Sequence, residues 1–307
     1  MNESSSTTAS AWPRTVAIYG VGLLGGSLGA ALRAAYPGVK VLGVGRDPLR
    51  LAGALSRGLV TRVVADGAEA AAEADLLVFC TPVDRIATDI TAISAACRPG
   101  TIITDVGSVK NNLATDLNDL VGAVEYIGSH PIAGSEKRGF EHASAELFDG
   151  RVCVVTPRAN NSANAVEKVS RLWTDLGMRV CSMTATAHDE ALAKTSHAPH
   201  LVASVMAHTL DASLISLVGS GFRDTTRIAA GDPELWTAIF VANRDAVLEA
   251  VDEVQKLLSM YREAVDRGDA RQLTRLLAEA KYRRDLLSQP AREGAETAPR
   301  DFAGAGA

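Results

Sequence analysis

Cysteine is scarce: the chain has four, Cys80, Cys97, Cys153 and Cys181, widely spaced and without a CxxC pair. No disulfide framework is encoded, and in a chain of this size such thiols read as small buried hydrophobes of a reducing compartment. An excess of positive charge is missing too. Lys and Arg number 31 against 36 Asp and Glu, a net charge of −5, and no Lys/Arg-rich block occurs, so nucleic acid is not an expected partner. No uninterrupted apolar run approaches ~18 residues, so no membrane span is expected. Met1 to Ser10 is Ser/Thr-rich, with neither the basic nor the apolar region of a signal peptide. The expected location is cytoplasmic, with residues 1–13 and the Gly/Ala-rich 290–307 disordered.

What is present points to an α/β chain. At 307 residues and 47% apolar composition, it can form two domains with sizeable cores. Thr15 to Ser27 reads as a buried strand that turns through spaced glycines into an Ala/Leu-rich helix, and Val39 to Val44 supplies the second strand of a βαβ unit. Gly20 suits the tight turn, Gly22 lets backbone approach a pyrophosphate, and Gly25 lets helix and strand pack closely. The backbone N–H groups of Leu23 and Leu24 then face the anion at the helix start. A carboxylate about 20 residues beyond such glycines binds the ribose of NAD. Here that place reads Gly45-Arg46-Asp47. If Arg46 occupies it, its guanidinium suits the 2′-phosphate of NADP, the preferred cofactor; one residue later, Asp47 takes the ribose and NAD is used. Thr81 and Pro82, which end the apolar run Leu76 to Cys80, complete the candidate cofactor site.

Apolar runs alternate with helical stretches up to about Thr186. Leu76–Cys80, Thr101–Asp105, Tyr126–Ile127, Val152–Val155 and Arg179–Cys181 are candidate strands, and Val166 to Leu176 is a helix. This alternation predicts a Rossmann-type doubly wound sheet over residues 14–185. Beyond it, long helical periodicities dominate (His188 to Leu217, Pro233 to Asp266, Asp269 to Leu287). They predict an all-helical substrate and dimerisation domain over residues 186–289, whose continuous apolar stripes favour a homodimer.

Two segments follow strands at the ligand-binding edge: Asp105-Val-Gly-Ser-Val-Lys110 and the polar loop Gly128 to Glu136. His130 in the second can accept a proton from a hydroxyl near neutral pH, and Ser108 can hydrogen-bond the same oxygen. The ordinary alternative for His130 is a loop histidine bonded to backbone. In the helical domain, His197 and His200 fall one turn apart if Lys194 to His200 is helical, although Pro199 must open or kink that helix. No Cys or HExxH pattern supplies further ligands, so no metal is expected. Gly219 to Ala229 carries Arg223, Asp224 and Arg227, able to present a guanidinium to a carboxylate.

Together, Gly20 to Ser27, Asp105 to Lys110, Ser129 to Glu136, Ser196 to His200 and Gly221 to Arg227 resemble, in order, the motifs of the prephenate/arogenate dehydrogenase family of tyrosine biosynthesis. The resemblance implies an oxidative decarboxylation: hydride leaves C4 of a cyclohexadienol for the nicotinamide, ring CO2 departs and the ring aromatises. It implies that His130 takes the proton of the 4-hydroxyl with Ser108 beside it, and that Arg227 binds the ring carboxylate. His200, Ser196 and His197 lie near the substrate side chain, Glu136 and Asp224 order and gate the site, and Trp236 reaches in across the dimer. Arg46 departs from the acid of NAD-using members. Arogenate and prephenate differ in an amino against a keto group, and Ser204 to His208, where discrimination is expected, holds no acid. A β-hydroxyacid-type dehydrogenase using Lys194, or a non-enzymatic NADP(H)-sensing dimeric regulator, would share this architecture.

Overall fold

The computed structural model describes residues 12–120, 124–134 and 137–288. Its first half alternates strand and helix: β1 (Thr15–Tyr19), α1 (Leu23–Ala35), β2 (Lys40–Val44), α2 (Pro48–Ser56), β3 (Arg62–Val64), α3 (Gly67–Glu73), β4 (Leu76–Phe79), α4 (Val83–Ser94), β5 (Ile102–Asp105), α5 (Asn111–Asp116) and β6 (Glu125–Tyr126). All six strands pair in parallel, in the order β3-β2-β1-β4-β5-β6. Because both faces are covered, the central stretches of the strands are mostly apolar, and their period-2 alternation divides the core. Val16, Ile18, Val41, Leu76 and Val78 face one layer with Leu28 and Leu32; Ala17, Tyr19, Leu42, Leu77 and Phe79 face the other with Ile86 and Ile90. Short polar residues set the helix starts. Asp47 accepts from the backbone N–H of Leu49 (2.9 Å) and Arg50 (3.2 Å), with Pro48 at the first helical position.

The later strands depart from the expected continuous sheet. β7 (Gly128–Pro131), β8 (Val152–Thr156) and β9 (Arg179–Ser182) form a separate three-stranded sheet, with β7 antiparallel to β8 and β8 parallel to β9. The run at Tyr126–Ile127 is really the two-residue β6, after which the chain changes sheets. Gly128 to Pro131, expected as loop, is therefore strand, with Ser129 opposite Val155 and His130 opposite Val154. The Val-rich β8 offers a long paired edge, and Asp105 draws in Ser129: its main-chain oxygen accepts from Ser129 Oγ at 2.6 Å. α6 (Ala163–Asp175) covers this sheet through Trp173, which meets Phe148 edge to face at 5.7 Å. Trp12, placed in the expected disordered tail, packs against the same core, with Lys168 over its ring.

The rest is helical: α7 (Ala185–Leu192), α8 (Ala198–His208), α9 (Ser220–Thr226), α10 (Pro233–Ala242), α11 (Arg244–Asp266) and α12 (Ala270–Leu286). The two long periodicities are each broken. A π turn over Ala193–His197 precedes α8, where Pro199 occupies the first turn and needs no N–H partner. Asn243 ends α10 and starts α11 with non-helical backbone. This half has little core of its own, centred on Ala193, Ala198, Val247 and Ala250, while Leu217, Val241 and Leu258 are 78%, 70% and 66% exposed. Among the described residues, no helix is long and apolar enough to cross a membrane.

Candidate active site

The glycine turn has the shape a dinucleotide needs. Gly20 takes φ +93°, and a Cβ there would lie 2.8 Å from the Cys80 carbonyl oxygen. A Cβ on Gly25 would lie 2.1 Å from the Gly20 carbonyl oxygen, so only glycine lets α1 pack this close to β1. Above Gly22, by contrast, a Cβ would meet nothing within 4 Å. That open space borders the start of α1, at Leu23 and Leu24, which no side chain caps. Thr81 Oγ1 is buried without a partner at the end of β4, and Pro82 precedes α4. Free helix N–H groups, an orphaned hydroxyl and an open glycine edge fit a dinucleotide pyrophosphate. Beyond β2, a pocket is lined by Gly45, Arg46, Pro48, Leu51, Val63 and Ala65. Arg46 is exposed there and makes no ion pair among the described residues, whereas Asp47 is committed to capping α2 and to Arg50.

At the seam between the two sheets lies a buried charged cluster. The Lys110 ammonium pairs with the Asp105 carboxylate and donates to the Ser129 carbonyl at 3.0 Å. Asp105 also accepts from Tyr126 Oη (2.9 Å) and from the backbone N–H of Gly107 (2.8 Å). These bonds shape the turn carrying Ser108, which is half-buried, and hold β7 against β5. His130 emerges from β7 beside the turn. Its Nδ1 lies 2.9 Å from Nε2 of His188, whose Nδ1 lies 2.7 Å from Asp189. Burial disfavours the imidazolium of His130, and the charges of His188 and Lys110 disfavour it further, so its pKa falls well below the usual histidine value. Burial also lowers the pKa of His188, against the pull of Asp189.

The helical half contributes a second wall. His197 accepts from Asn243 Nδ2 at 3.0 Å through Nδ1, and Asn243 also donates to the Asp189 carbonyl at 2.9 Å. Burial pushes the His197 pKa down to about 4, with Asp189 opposing. His200 stacks on Trp236, ring centroids 3.6 Å apart, and burial lowers its pKa as well. His197 Nε2 and His200 Nδ1 are buried without partners, as expected of groups that await a ligand. Ser196 is half-buried in the π turn. Trp236, on α10, packs against His197 and His200 of its own chain. Asp224 and Arg227 are exposed on α9 and the 3-10 turn that follows, and make no ion pair among the described residues. Glu136 lies outside the described residues.

His188, Asp189 and Asn243 escaped the sequence reading, as did the pairing of Lys110 with Asp105. The adjacent His188-Asp189 dyad was the available signal, but it stands where a helical periodicity begins and reads as part of it. Lys194, the proton handler of the β-hydroxyacid alternative, bonds Glu253 on the surface at 2.9 Å.

Residues 28–182 match the family described as "Prephenate dehydrogenase, nucleotide-binding domain", and residues 184–279 match "Prephenate dehydrogenase, dimerization domain". The chain belongs to the prephenate dehydrogenase family. A cyclohexadienyl dehydrogenase of Zymomonas mobilis is 32% identical over 89% of this chain and 95% of its own. A structure of prephenate dehydrogenase from A. aeolicus, in complex with hydroxyphenyl propionate and NAD+, superposes with a TM-score of 0.84 at 30% identity, covering 91% of this chain and 99% of that one. Synechocystis arogenate dehydrogenase follows with a TM-score of 0.78 and 28% identity, over 89% and 99% of the two chains.

Proposed function

We propose that this protein oxidatively decarboxylates a cyclohexadienol, prephenate or arogenate, as an NADP-linked dehydrogenase. One observation carries the reading: His130, buried and held uncharged, stands where the end of the parallel sheet meets the helical half. The bound nicotinamide supplies the hydride acceptor. His130 takes the proton of the 4-hydroxyl as that oxygen becomes a carbonyl, and Ser108 hydrogen-bonds the same oxygen. The electron pair of the breaking C–CO2 bond stays with the ring and completes its aromatic system. Arg227 binds the ring carboxylate; too strong a grip would oppose its departure as neutral CO2. His200, Ser196 and His197 receive the substrate side chain, Trp236 backs them, and Glu136 and Asp224 order the site. Burial of these imidazoles in their neutral form leaves them free to donate or accept hydrogen bonds without a net charge in the pocket.

We infer a homodimer through the helical half, which leaves Leu217, Val241 and Leu258 largely exposed around a small core. The family's dimerization domain covers the same stretch.

Steady-state kinetics with prephenate and arogenate, each with NAD and NADP, test the reading directly; turnover of neither substrate with either cofactor overturns it. Asp47 is used as a cap, so Arg46 is the group left to meet the 2′ position. Replacing Arg46 with Asp removes a charge-assisted contact and is expected to shift the NADP/NAD ratio of kcat/KM toward NAD by about 10- to 100-fold. An unchanged ratio would make Arg46 a surface charge.

A further inference from the structure

The hydrogen bonds around Asp189 decide which nitrogen of His130 carries its proton. Asp189 Oδ1 accepts from the backbone N–H of Lys110 at 2.8 Å, and Oδ2 accepts from the backbone N–H of Asn111 at 2.8 Å. Backbone N–H groups only donate, so this carboxylate acts as acceptor on both oxygens. His188 Nδ1, at 2.7 Å from Oδ1, must then be the protonated nitrogen, and His188 Nε2 carries a lone pair. The 2.9 Å contact between His188 Nε2 and His130 Nδ1 needs one hydrogen, which only His130 Nδ1 can provide. His130 is thereby held as the Nδ1–H tautomer with a bare Nε2, the reverse of the preference of a free neutral imidazole.

We propose that His188 and Asp189 are a positioning pair that locks His130 in its proton-accepting tautomer and orients the ring toward the substrate hydroxyl. The proposal rests on His130 being the proton acceptor. In the step it supports, the substrate O–H bond breaks, its proton bonds to His130 Nε2, and the oxygen keeps the electron pair that becomes the carbonyl as hydride leaves C4. The positive charge then on His130 is met through Nδ1–H by His188 and, behind it, by the Asp189 carboxylate. Asp189 is anchored from both halves of the chain, by the backbone of Lys110 and Asn111 and by Asn243, which bonds its carbonyl. The tautomer is thus coupled to the docking of α7 against the nucleotide-binding half.

Two substitutions at position 188 separate this role from a structural one. The amide oxygen of His188→Gln stands near the place of Nε2 and still accepts from His130. His188→Asn keeps a donor toward Asp189 but removes that acceptor. His188→Asn is expected to lower kcat about 10- to 100-fold, with KM and cofactor binding little changed, whereas His188→Gln recovers most of the loss. In 15N spectra of histidine-labelled protein, His130, identified by its absence in His130→Asn, shows a protonated Nδ1 and bare Nε2; in His188→Asn the proton moves to Nε2. Wild-type kcat in His188→Asn, equal losses in the two variants, or a protonated Nε2 on His130 of the unmodified protein would each overturn the pairing. The last measurement decides the matter even where a variant fails to fold. If His130→Asn itself keeps full activity, it is the assignment of His130 that fails; an inactive His130→Asn beside a fully active His188→Asn removes only the positioning pair.

Discussion

His130→Asn is expected to lower kcat by about 10²- to 10⁴-fold, the range for loss of a general base, and to leave the Kd for the nicotinamide cofactor unchanged. The asparagine amide can still donate to His188 Nε2 from roughly the position of Nδ1, so the fold around β7 survives and the loss falls on chemistry. What disappears is the acceptor proposed for the 4-hydroxyl proton. The pH profile follows from the same group. Only neutral His130 accepts the proton, so kcat/KM falls as pH drops through its pKa. Burial, with His188 and Lys110 nearby, holds that pKa well below the usual histidine value, so the acid limb lies below the pH of about 6.5 set by a free imidazole. The residual activity of the variant lacks that limb. Full kcat in His130→Asn, at unchanged cofactor affinity, would falsify the assignment.

Lys110→Met is expected to destabilise the protein by about 3–5 kcal/mol, the cost of stranding one partner of a buried ion pair. Lys110 is 1% exposed and Asp105 0%. Methionine fills much of the space of the lysine stem, so the loss reports the carboxylate left without its cation rather than a cavity. Tyr126 and the Gly107 N–H continue to donate to Asp105 but bring no positive charge. Adding Asp105→Asn to Lys110→Met removes the charge as well and is expected to recover part of the loss, since removing both charges of a pair costs far less than removing one. Urea unfolding at neutral pH measures both effects. A loss under about 1 kcal/mol for the single variant, or no recovery in the double one, contradicts this account. Because a domain has only about 5–15 kcal/mol in total, the pair is a principal tie between β5, β7 and the turn carrying Ser108.

The parts of the site readable in the chain are those whose requirements are local. Gly20 needs a positive φ and a Cβ at Gly25 collides with the Gly20 carbonyl five residues back, so the glycine pattern announces the turn before any tertiary contact is known. Pro199 likewise announced a disturbance between His197 and His200, because a missing N–H is a property of the residue itself. Its resolution as a π turn leading into α8 depends on the packing of Ala193 and Ala198 against α11, which no local signal reports. Gly128 to Pro131 looked like a loop because glycine, serine, histidine and proline have little strand preference. The valines of β8 and the bonds from Ser129 to Asp105 made it a strand. The stacking of Trp236 on His200 is not readable in the chain, since it depends on how α10 returns over α8.

The nucleotide turn, the division into a strand-rich half and a helical half, and His130 as a candidate acceptor are legible along the chain, because backbone conformation, residue period and side-chain chemistry are properties of short segments. The groups that surround that imidazole come together through folding alone. His188 lies 58 positions along the chain from His130, and Asp189 lies 79 from Lys110. Contacts at such separations are selected by the packing of whole elements, and the same packing sets the desolvation that keeps His130 uncharged.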